Sequence, residues 1–218
     1  MSIQRALVIG AGSGVGKATA AALRAAGVEV LGTGRERDAT DPGEAAALLA
    51  ETDPDLVVLA AGARPRMASI EEQSWESFSE PWNVDVKLAF EVGRASLARP
   101  LRPGSTVVIV SSGAGINPNG SPMSGGYAGA KRMQMFVTSY LQKAADARDL
   151  AIRFVALAPM QFLVGTRIGE TAAAAYGPGS WPVPLDPDGV ARAILSVVSV
   201  DQHRGATLRL TGEGLELG

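Results

Sequence analysis

A glycine-rich turn close to the first residue constrains the fold of this chain more than any other feature. The segment Gly10-Ala-Gly-Ser-Gly-Val-Gly16 follows the apolar run Arg5–Ile9 and leads into an alanine-rich stretch. A strand, a tight glycine turn and a helix, in that order, begin dinucleotide-binding folds, because the N–H groups at the helix N-terminus attract a pyrophosphate. The same spacing also fits a tight turn without a ligand. The segment predicts an α/β fold and makes a bound nucleotide the leading hypothesis.

Short β-branched runs alternate with helical stretches along the 218 residues. This alternation is typical of βαβ units. We expect one domain over residues 1–218, with a Rossmann-like, doubly wound parallel sheet of six to seven strands in a three-layer αβα arrangement. The predicted strands are Arg5–Ile9, Val28–Gly32, Leu56–Ala60, Val107–Ser111, Ile152–Ala156 and Thr207–Leu210. The predicted helices are Gly14–Ala26, Glu44–Glu51, Trp82–Leu97, Tyr127–Arg148 and Pro187–Val200.

Composition argues against several kinds of site. The chain has no cysteine, so disulfides, thiolate zinc sites and cysteine nucleophiles are excluded. Its single histidine, His203, is expected on the surface after a helix, and we predict no metal site and no Ser-His-Asp triad. Acidic and basic residues nearly cancel, with a formal charge of −2 and no basic run. This balance argues against nucleic acid or an anionic membrane as the partner.

The N-terminal residues lead directly into an apolar strand, without the basic, apolar and small-residue pattern of an export signal. The longest apolar stretches, Leu56–Ala63 and Thr106–Val110, are much shorter than the roughly 20 residues that cross a bilayer. We therefore expect a soluble, cytoplasmic protein.

The end of the second predicted strand bears on which nucleotide is bound. An acidic side chain here accepts a hydrogen bond from the 2′-hydroxyl of NAD, whereas an arginine pairs with the 2′-phosphate of NADP. The sequence places Gly34 and then Arg35 at this point, with Lys17 and Arg37 as further positive charges nearby. We expect NADP(H) to be preferred and NAD(H) to be possible. Glu36 keeps the second option open, because a shift of one residue would bring its carboxylate to the ribose.

Tyr127 and Lys131 lie four residues apart and share one face of a predicted helix. A positive charge beside a phenol stabilises the phenolate, so the pair suits a tyrosine that donates and accepts a proton. Ser112, after the fourth predicted strand, can hydrogen-bond a substrate oxygen during hydride transfer, although Ser111 competes for this role. The alternative for Tyr127 and Lys131 is an exposed helix on which a ring lies beside a solvated charge.

Taken together, these residues resemble the short-chain dehydrogenase/reductase family over essentially the whole chain. Six landmarks occur in the family's order and approximate spacing. They are the glycine turn with Gly10, Gly14 and Gly16, Ala61-Gly62 after the third strand, Asn83, Val110-Ser111-Ser112-Gly113, Tyr127 with Lys131, and Ala158-Pro159 to Thr166.

The resemblance implies a catalytic group of Asn83, Ser112, Tyr127 and Lys131. In this family Lys131 would also hold the nicotinamide ribose, and Asn83 would anchor a water that links Lys131 to solvent. Asp38 would contact the adenine amino group, with a turn or helix cap as its alternative role. The expected cofactor-binding residues are Gly10, Gly12, Ser13, Gly14, Val15, Gly16, Arg35, Asp38, Ala60, Ala61, Gly62, Tyr127, Lys131, Pro159 and Thr166.

Four features depart from the family pattern. Leu59-Ala60 replaces two asparagines that usually brace the sheet, and Pro159-Met160 replaces the usual Pro-Gly. The separation of Ser112 from Tyr127 places a small insertion within Ile116–Ser124. Between Thr166 and Pro187 the chain has a modest Ala/Gly/Pro-rich segment in place of a long substrate lid, which suggests an open or partner-completed pocket.

We expect an apolar substrate pocket on loops at the carboxyl ends of the strands. Its candidate residues are Ala114, Ile116, Met123, Met160, Phe162 and Trp181, with Arg64, Arg66 and Arg167 within reach. The predicted activity is an NADP(H)-dependent oxidoreductase that interconverts a small-molecule carbonyl and an alcohol. The alternatives are a non-redox epimerase, dehydratase or lyase of the same fold, or a nucleotide-sensing protein. The resemblance also implies a homodimer or homotetramer packed through the helices Trp82–Leu97 and Tyr127–Arg148.

Overall fold

A computed structural model of the chain describes residues 3–117, 123–161, 163–177, 185–199 and 203–218. Within these residues, seven strands form one sheet in the order β2-β1-β3-β4-β5-β6-β7. The pairs from β2 to β6 are parallel, and β7 is antiparallel to β6. The strands are β1 Arg5–Ile9, β2 Glu29–Thr33, β3 Leu56–Leu59, β4 Thr106–Val110, β5 Arg153–Pro159, β6 Thr207–Thr211 and β7 Gly214–Leu217.

Helices cover both faces of this sheet, which confirms the predicted Rossmann-like, three-layer αβα fold. The helices of the described ranges are α1 Gly14–Ala25, α2 Pro42–Thr52, α3 Trp75–Pro81, α4 Lys87–Ala98, α5 Gly125–Asp146, α6 Arg167–Tyr176 and α7 Pro187–Ser199. Helices α1 and α7 pack against each other on one face, and α2, α4 and α5 pack on the other. Every residue of β3, β4 and β5 is buried, as expected for parallel strands covered on both sides.

Each face has its own apolar core. Leu23 of α1 and Ile194 of α7 lie in one core, and Leu88 of α4 and Leu141 of α5 lie in the other. Gly93 lets α4 and α5 approach closely, because a Cβ at this position would lie 2.3 Å from Leu141 Cδ1. Gly93 thus allows α5, which carries Tyr127 and Lys131, to pack tightly against α4.

The helix predicted over Trp82–Leu97 begins earlier and is interrupted. Helix α3 starts at Trp75, where the Ser74 hydroxyl accepts a hydrogen bond from the Ser77 N–H. Pro81 has no N–H to donate to the preceding turn, and a wide π-helical turn, Trp82–Val86, follows before α4. This extra residue per turn changes which side chains of the segment face the sheet.

Two elements were not predicted, and β5 ends later than expected. Helix α6 lies in the segment that the sequence analysis treated as a shortened lid, and it is capped by the Thr166 hydroxyl. Strand β7 follows a tight turn after β6, and β5 continues three residues past the predicted end at Ala156. No helix in the described parts of the chain is long and apolar enough to span a membrane.

Candidate active site

A cleft of about 730 Å³ opens at the carboxyl ends of β1 to β4. It lies where the strand order reverses, since β2 is on one side of β1 and β3 on the other. Open α/β sheets bind ligands at such a switch point. Thirteen of the predicted cofactor residues line the cleft, namely Gly10, Gly12, Ser13, Gly14, Val15, Arg35, Asp38, Ala60, Ala61, Gly62, Tyr127, Lys131 and Thr166.

The glycine turn brings the N-terminus of α1 to the cleft. A Cβ on Gly16 would lie 2.2 Å from the Gly10 carbonyl oxygen, so the turn closes this tightly only with glycine at position 16. The Gly10 and Ala11 N–H groups donate to Thr33 O at 2.9 Å and are therefore used within the fold. The side chain of Ser13 caps none of the first-turn N–H groups of α1. These donors suit an anion such as a pyrophosphate.

Helix α6 begins directly over the same turn. Thr166 Cγ2 lies 3.4 Å from the Cβ position of Gly14, and the first residue of α6, Arg167, donates from Nη2 to Ser13 Oγ at 3.3 Å. Arg64, after β3, also lines the cleft and donates from Nε to Thr171 Oγ1 of α6 at 3.4 Å. Arg167 therefore adds positive charge at the N-terminus of α1, and Arg64 adds positive charge to the cleft.

Two charged side chains of opposite sign lie beyond the end of β2. Arg35 lines the cleft, is exposed and has no ion-pair partner among the described residues. The Glu36 carboxylate turns back and accepts a hydrogen bond from the Gly34 N–H at 2.5 Å. That bond, followed by one from its own N–H, lowers the pKa of Glu36. The arginine is available to a ligand, whereas the carboxylate already has a partner.

The other charges expected near this point are otherwise engaged. Arg37 lines the cleft but pairs with Glu51 at 2.6 Å and with Glu44, and these two carboxylates raise its pKa. Lys17 is exposed and is not among the lining residues. Asp38 accepts hydrogen bonds from the hydroxyl and N–H of Thr40, which lower its pKa. The turn role that was the alternative for Asp38 is therefore present, within the cleft.

Tyr127 and Lys131 reach the cleft from the start of α5. The Lys131 ammonium lies 5.6 Å from the centre of the Tyr127 ring, and Tyr127 is half-buried. Lys131 itself is buried and donates to Gln134 Oε1 at 3.1 Å and to Val110 O at 3.3 Å. The predicted pair thus shares one helix face and one cavity.

Asp85, rather than Asn83, lies against Lys131. The Asp85 side chain is fully buried in the π-helical turn, and its Oδ2 is 3.1 Å from Lys131 Nζ. Burial alone lowers the pKa of Lys131, but the Asp85 carboxylate and then Tyr127 outweigh it, so this pKa lies above its ordinary value. Asn83 is exposed and is not among the lining residues. Side chains two residues apart on a helix point in nearly opposite directions. Only one of Asn83 and Asp85 can therefore face α5.

Further contacts fix the Asp85 carboxylate and its backbone. Its Oδ1 accepts a hydrogen bond from the Ala63 N–H at 2.7 Å, and its carbonyl oxygen accepts one from Gln134 Nε2 at 3.0 Å. Gln134 therefore contacts both Lys131 and the backbone of the π-helical turn. The three side chains form one buried polar group on the α5 side of the cleft.

The two serines after β4 have different surroundings. Ser111 is buried, lines the cleft and donates from Oγ to Lys131 O at 2.8 Å. Ser112 is half-buried and accepts a hydrogen bond from the Ala114 N–H at 3.3 Å. In the described part of the chain its hydroxyl has no acceptor, so it keeps a proton to donate. Ser112 is not among the residues that line the cleft.

Several other predicted residues lie outside the lining of this cleft. Gly16 closes the glycine turn, and Pro159 ends β5 beside Leu210. Of the predicted substrate residues, Ala114, Ile116, Met123 and Met160 do not line it. Phe162 and Trp181 lie outside the described residues. Met160 packs on Gly113, whose Cβ position is 3.0 Å from the Met160 sulfur.

Some residues that line the cleft were not expected from the sequence. Glu80 and Val84 come from α3 and the π-helical turn, and Leu163 and Ile168 come from the segment around α6. Glu80 and Val84 are four residues apart, a spacing that places two side chains on the same face of a helix. The sequence could have indicated this only if the helix had been predicted to start before Trp82. Of the three arginines judged within reach, Arg64 and Arg167 line the cleft and Arg66 does not.

Comparisons with known proteins identify the family of the chain. The model of the NAD dependent epimerase/dehydratase family matches residues 6–160. An uncharacterized short-chain type dehydrogenase/reductase of Sinorhizobium fredii is 29% identical over 185 residues, which are 77% of this chain and 72% of that protein. A small-chain dehydrogenase solved in complex with NADPH superposes with a TM-score of 0.83 at 16% identity, over 97% of this chain and 98% of that one. A short-chain dehydrogenase from Burkholderia cenocepacia in complex with NADP superposes with a TM-score of 0.78 at 21% sequence identity, over 96% of each chain. The chain therefore belongs to the NAD dependent epimerase/dehydratase family and, with it, to the short-chain dehydrogenases/reductases.

Proposed function

We propose that this protein is an NADP(H)-dependent oxidoreductase that interconverts a carbonyl and an alcohol of a small molecule by hydride transfer. One observation carries the proposal. The uncapped N-terminus of α1 and the Tyr127/Lys131 pair line the same cleft, so an anion-binding turn and a proton donor face one cavity. A nicotinamide dinucleotide, which supplies the hydride when bound, needs both.

The residues of the cleft suit the successive parts of such a cofactor. The first-turn N–H groups of α1, with Arg167 beside Ser13, would hold the pyrophosphate. Arg35 would pair with the 2′-phosphate of NADP, because its guanidinium is exposed and has no other ion-pair partner in the described residues. The NADPH and NADP complexes of the two structural relatives support this choice. NAD remains the alternative if Glu36 leaves Gly34 and turns to the ribose.

The proton chemistry falls to α5 and the loop after β4. Tyr127 Oη donates its proton to the carbonyl oxygen during reduction and takes it back during alcohol oxidation. Ser112 donates a hydrogen bond to the same oxygen, since its hydroxyl proton has no acceptor in the described residues. Lys131 holds a positive charge beside the Tyr127 ring. Asn83, which is exposed, has no part in this proposal.

A non-redox reaction is the second candidate. The matching family model describes epimerases and dehydratases as well, and a Tyr/Lys pair serves both kinds of chemistry. The two differ in whether the nicotinamide is consumed. A redox reaction changes its absorbance in step with the substrate, whereas an epimerase or dehydratase restores the cofactor in each cycle.

The assembly that we propose is a homodimer or homotetramer. Phe90 on α4 and both Phe136 and Tyr140 on α5 are exposed, the latter two at 61% each. Phe136 and Tyr140 are one turn apart and therefore share a helix face. Large exposed aromatic side chains on adjacent helices mark an interaction surface, and closed symmetry is common in soluble oligomers.

Turnover tests the activity. Purified protein with NADPH is offered a panel of ketones, aldehydes and imines while nicotinamide absorbance is followed. We expect oxidation of NADPH with some members of the panel, lost in Tyr127→Phe and retained in Tyr140→Phe, which removes the same hydroxyl from an exposed site on the same helix. Substrate conversion without a net absorbance change would replace the redox proposal with the epimerase or dehydratase reaction.

A further inference from the structure

We propose that Asp85 is a positioning residue: its carboxylate pairs with Lys131 and offsets part of the positive charge that Lys131 places beside Tyr127. The inference rests on the proposed function and deepens it. Such an offset favours carbonyl reduction, which uses the phenol, over alcohol oxidation, which begins from the phenolate.

The geometry places the carboxylate close to the ammonium and fixes it there. Asp85 Oδ2 lies 3.1 Å from Lys131 Nζ, while Asp85 Oδ1 accepts a hydrogen bond from the Ala63 N–H at 2.7 Å. The π-helical turn that carries Asp85 is held by Gln134, which donates to the Asp85 carbonyl oxygen. The carboxylate can therefore leave Lys131 only by breaking its bond to Ala63 or by moving the turn.

The Lys131 ammonium makes its contacts with groups other than the Tyr127 hydroxyl. It donates hydrogen bonds to Gln134 Oε1 at 3.1 Å and to Val110 O at 3.3 Å, and it lies 3.1 Å from Asp85 Oδ2. Its effect on the phenol is therefore treated as electrostatic, acting across 5.6 Å to the ring centre. A second charge of opposite sign at 3.1 Å from the ammonium cancels part of that effect.

The size of the effect follows from the distance. A unit charge at about 6 Å, with an effective dielectric constant near 20, changes a proton equilibrium by roughly two pH units. An opposite charge 3.1 Å from the ammonium removes part of this effect. We therefore expect that neutralising Asp85 moves the midpoint of phenolate formation down by a shift on the order of one pH unit.

Other ionisable groups on the neighbouring elements do not replace this pair. Glu80 of α3 lines the cleft, and Glu91 of α4 is paired with Arg94 at 2.8 Å. The charges that act on the pKa of Lys131 are those of Asp85 and Tyr127. The remaining ionisable side chains of the elements packed on α5 are Glu76 of α3, Lys87 of α4 and Arg153 of β5.

In the reduction, the hydride adds to the carbonyl carbon and Tyr127 Oη gives its proton to the carbonyl oxygen. The carbonyl compound is reduced, the nicotinamide is oxidised, and the phenolate that remains is reprotonated from solvent. Because Asp85 disfavours the phenolate, it speeds this last step and keeps Tyr127 ready for the next cycle. The same charge opposes the first step of alcohol oxidation, which begins from the phenolate.

A tyrosinate titration tests the inference without cofactor or substrate. Ultraviolet absorbance is followed against pH in the unmodified protein and in Asp85→Asn, and the curve of the matching Tyr127→Phe protein is subtracted from each. The difference removes Tyr140 and Tyr176, so only Tyr127 is followed. We expect a midpoint about one pH unit lower in Asp85→Asn and in Asp85→Ser, and little change in Asp85→Glu. An unchanged or higher midpoint in both neutral variants would overturn the proposal.

The double variant Asp85→Asn/Lys131→Met supplies a second comparison if the single Asp85 variants do not fold, because it leaves no buried charge unpaired. If the Asp85 charge offsets that of Lys131, the Tyr127 midpoints of the unmodified protein and the double variant lie within about one pH unit of each other. A midpoint about two units lower in the unmodified protein than in the double variant would show an uncompensated ammonium and contradict the proposal. Because neither experiment uses NADPH, their result is separate from whether the protein is a reductase.

Discussion

The Lys131 ammonium and the Asp85 carboxylate form an ion pair of 3.1 Å in which both side chains are buried. The pair joins the helix that carries the tyrosine to the π-helical turn before α4. A buried charge without its partner is strongly destabilising, whereas removing both charges leaves an apolar or neutral site. Removing one partner alone is therefore expected to destabilise the fold more than removing both.

We expect Asp85→Asn to lower the free energy of unfolding by about 3 kcal/mol near neutral pH. The double variant Asp85→Asn/Lys131→Met should lose less than the sum of the two single variants, as urea unfolding would show. Because the pKa of Lys131 is raised in the folded protein, its contribution is complete below the ordinary value of 10.5 and is lost as pH rises through the folded value. Additive losses would mean that the two groups are not coupled.

The glycine turn gives a matched pair of substitutions. Gly16→Ala would place a Cβ 2.2 Å from a backbone oxygen, and we expect it to cost about 1 to 3 kcal/mol of stability. Gly12→Ala has no atom within 4 Å of its Cβ position and should leave stability nearly unchanged. Gly12 nevertheless lines the cleft, so this variant should weaken cofactor binding. Thermal unfolding and NADPH titration of both variants check the two effects separately.

Arg167 should contribute to cofactor affinity through its position over the glycine turn. Its guanidinium donates to Ser13 Oγ, beside the N–H groups that would face a pyrophosphate. We expect Arg167→Ala to weaken NADPH binding about tenfold and to reduce its dependence on salt. Arg192→Ala removes an exposed arginine of α7 that is not among the cleft residues and serves as the control. Equal affinities of the two variants would place Arg167 outside the cofactor site.

The exposed aromatic residues of α5 predict the effect of a charge on assembly. Phe136→Asp, or Tyr140→Asp, should shift the protein from a dimer or tetramer to the monomer in analytical ultracentrifugation, because it would bury an unpaired charge. Ile70→Asp, at an exposed position on the segment before α3, should leave the assembly unchanged. A monomeric unmodified protein would contradict the proposed interface.

The sequence predicted the sheet and its flanking helices, and thirteen of the residues that it predicted for a cofactor line the cleft, because these features depend on local patterns. The glycine turn, the apolar strands and the Tyr127/Lys131 spacing are each readable within a few residues. The partner of Lys131 is not, since it comes from a separate helix whose direction depends on Pro81 and the π-helical turn. A regular helix over this segment gave no reason to prefer Asp85 over Asn83 as the residue that contacts Lys131.

The segment after β5 was harder for a related reason. Helix α6 is short and begins with Arg167 and ends at Tyr176 between glycine- and proline-rich stretches, so its pattern is weak. Its start is determined by Thr166, which both caps the helix and donates to Leu163 O at 2.7 Å. The substrate residues were predicted only from their expected position on loops at the carboxyl ends of the strands. Four of them do not line the cleft.

Cofactor titration tests the central claim most directly. Binding of NADPH and NADH is measured by fluorescence in the unmodified protein, in Arg35→Ala and in the control Arg192→Ala. Tight NADPH binding that weakens about tenfold in Arg35→Ala alone is the predicted result, since a charge-assisted pair with the 2′-phosphate would be lost. The absence of binding by either nucleotide below millimolar concentration would contradict the account and leave a fold whose cleft serves another ligand.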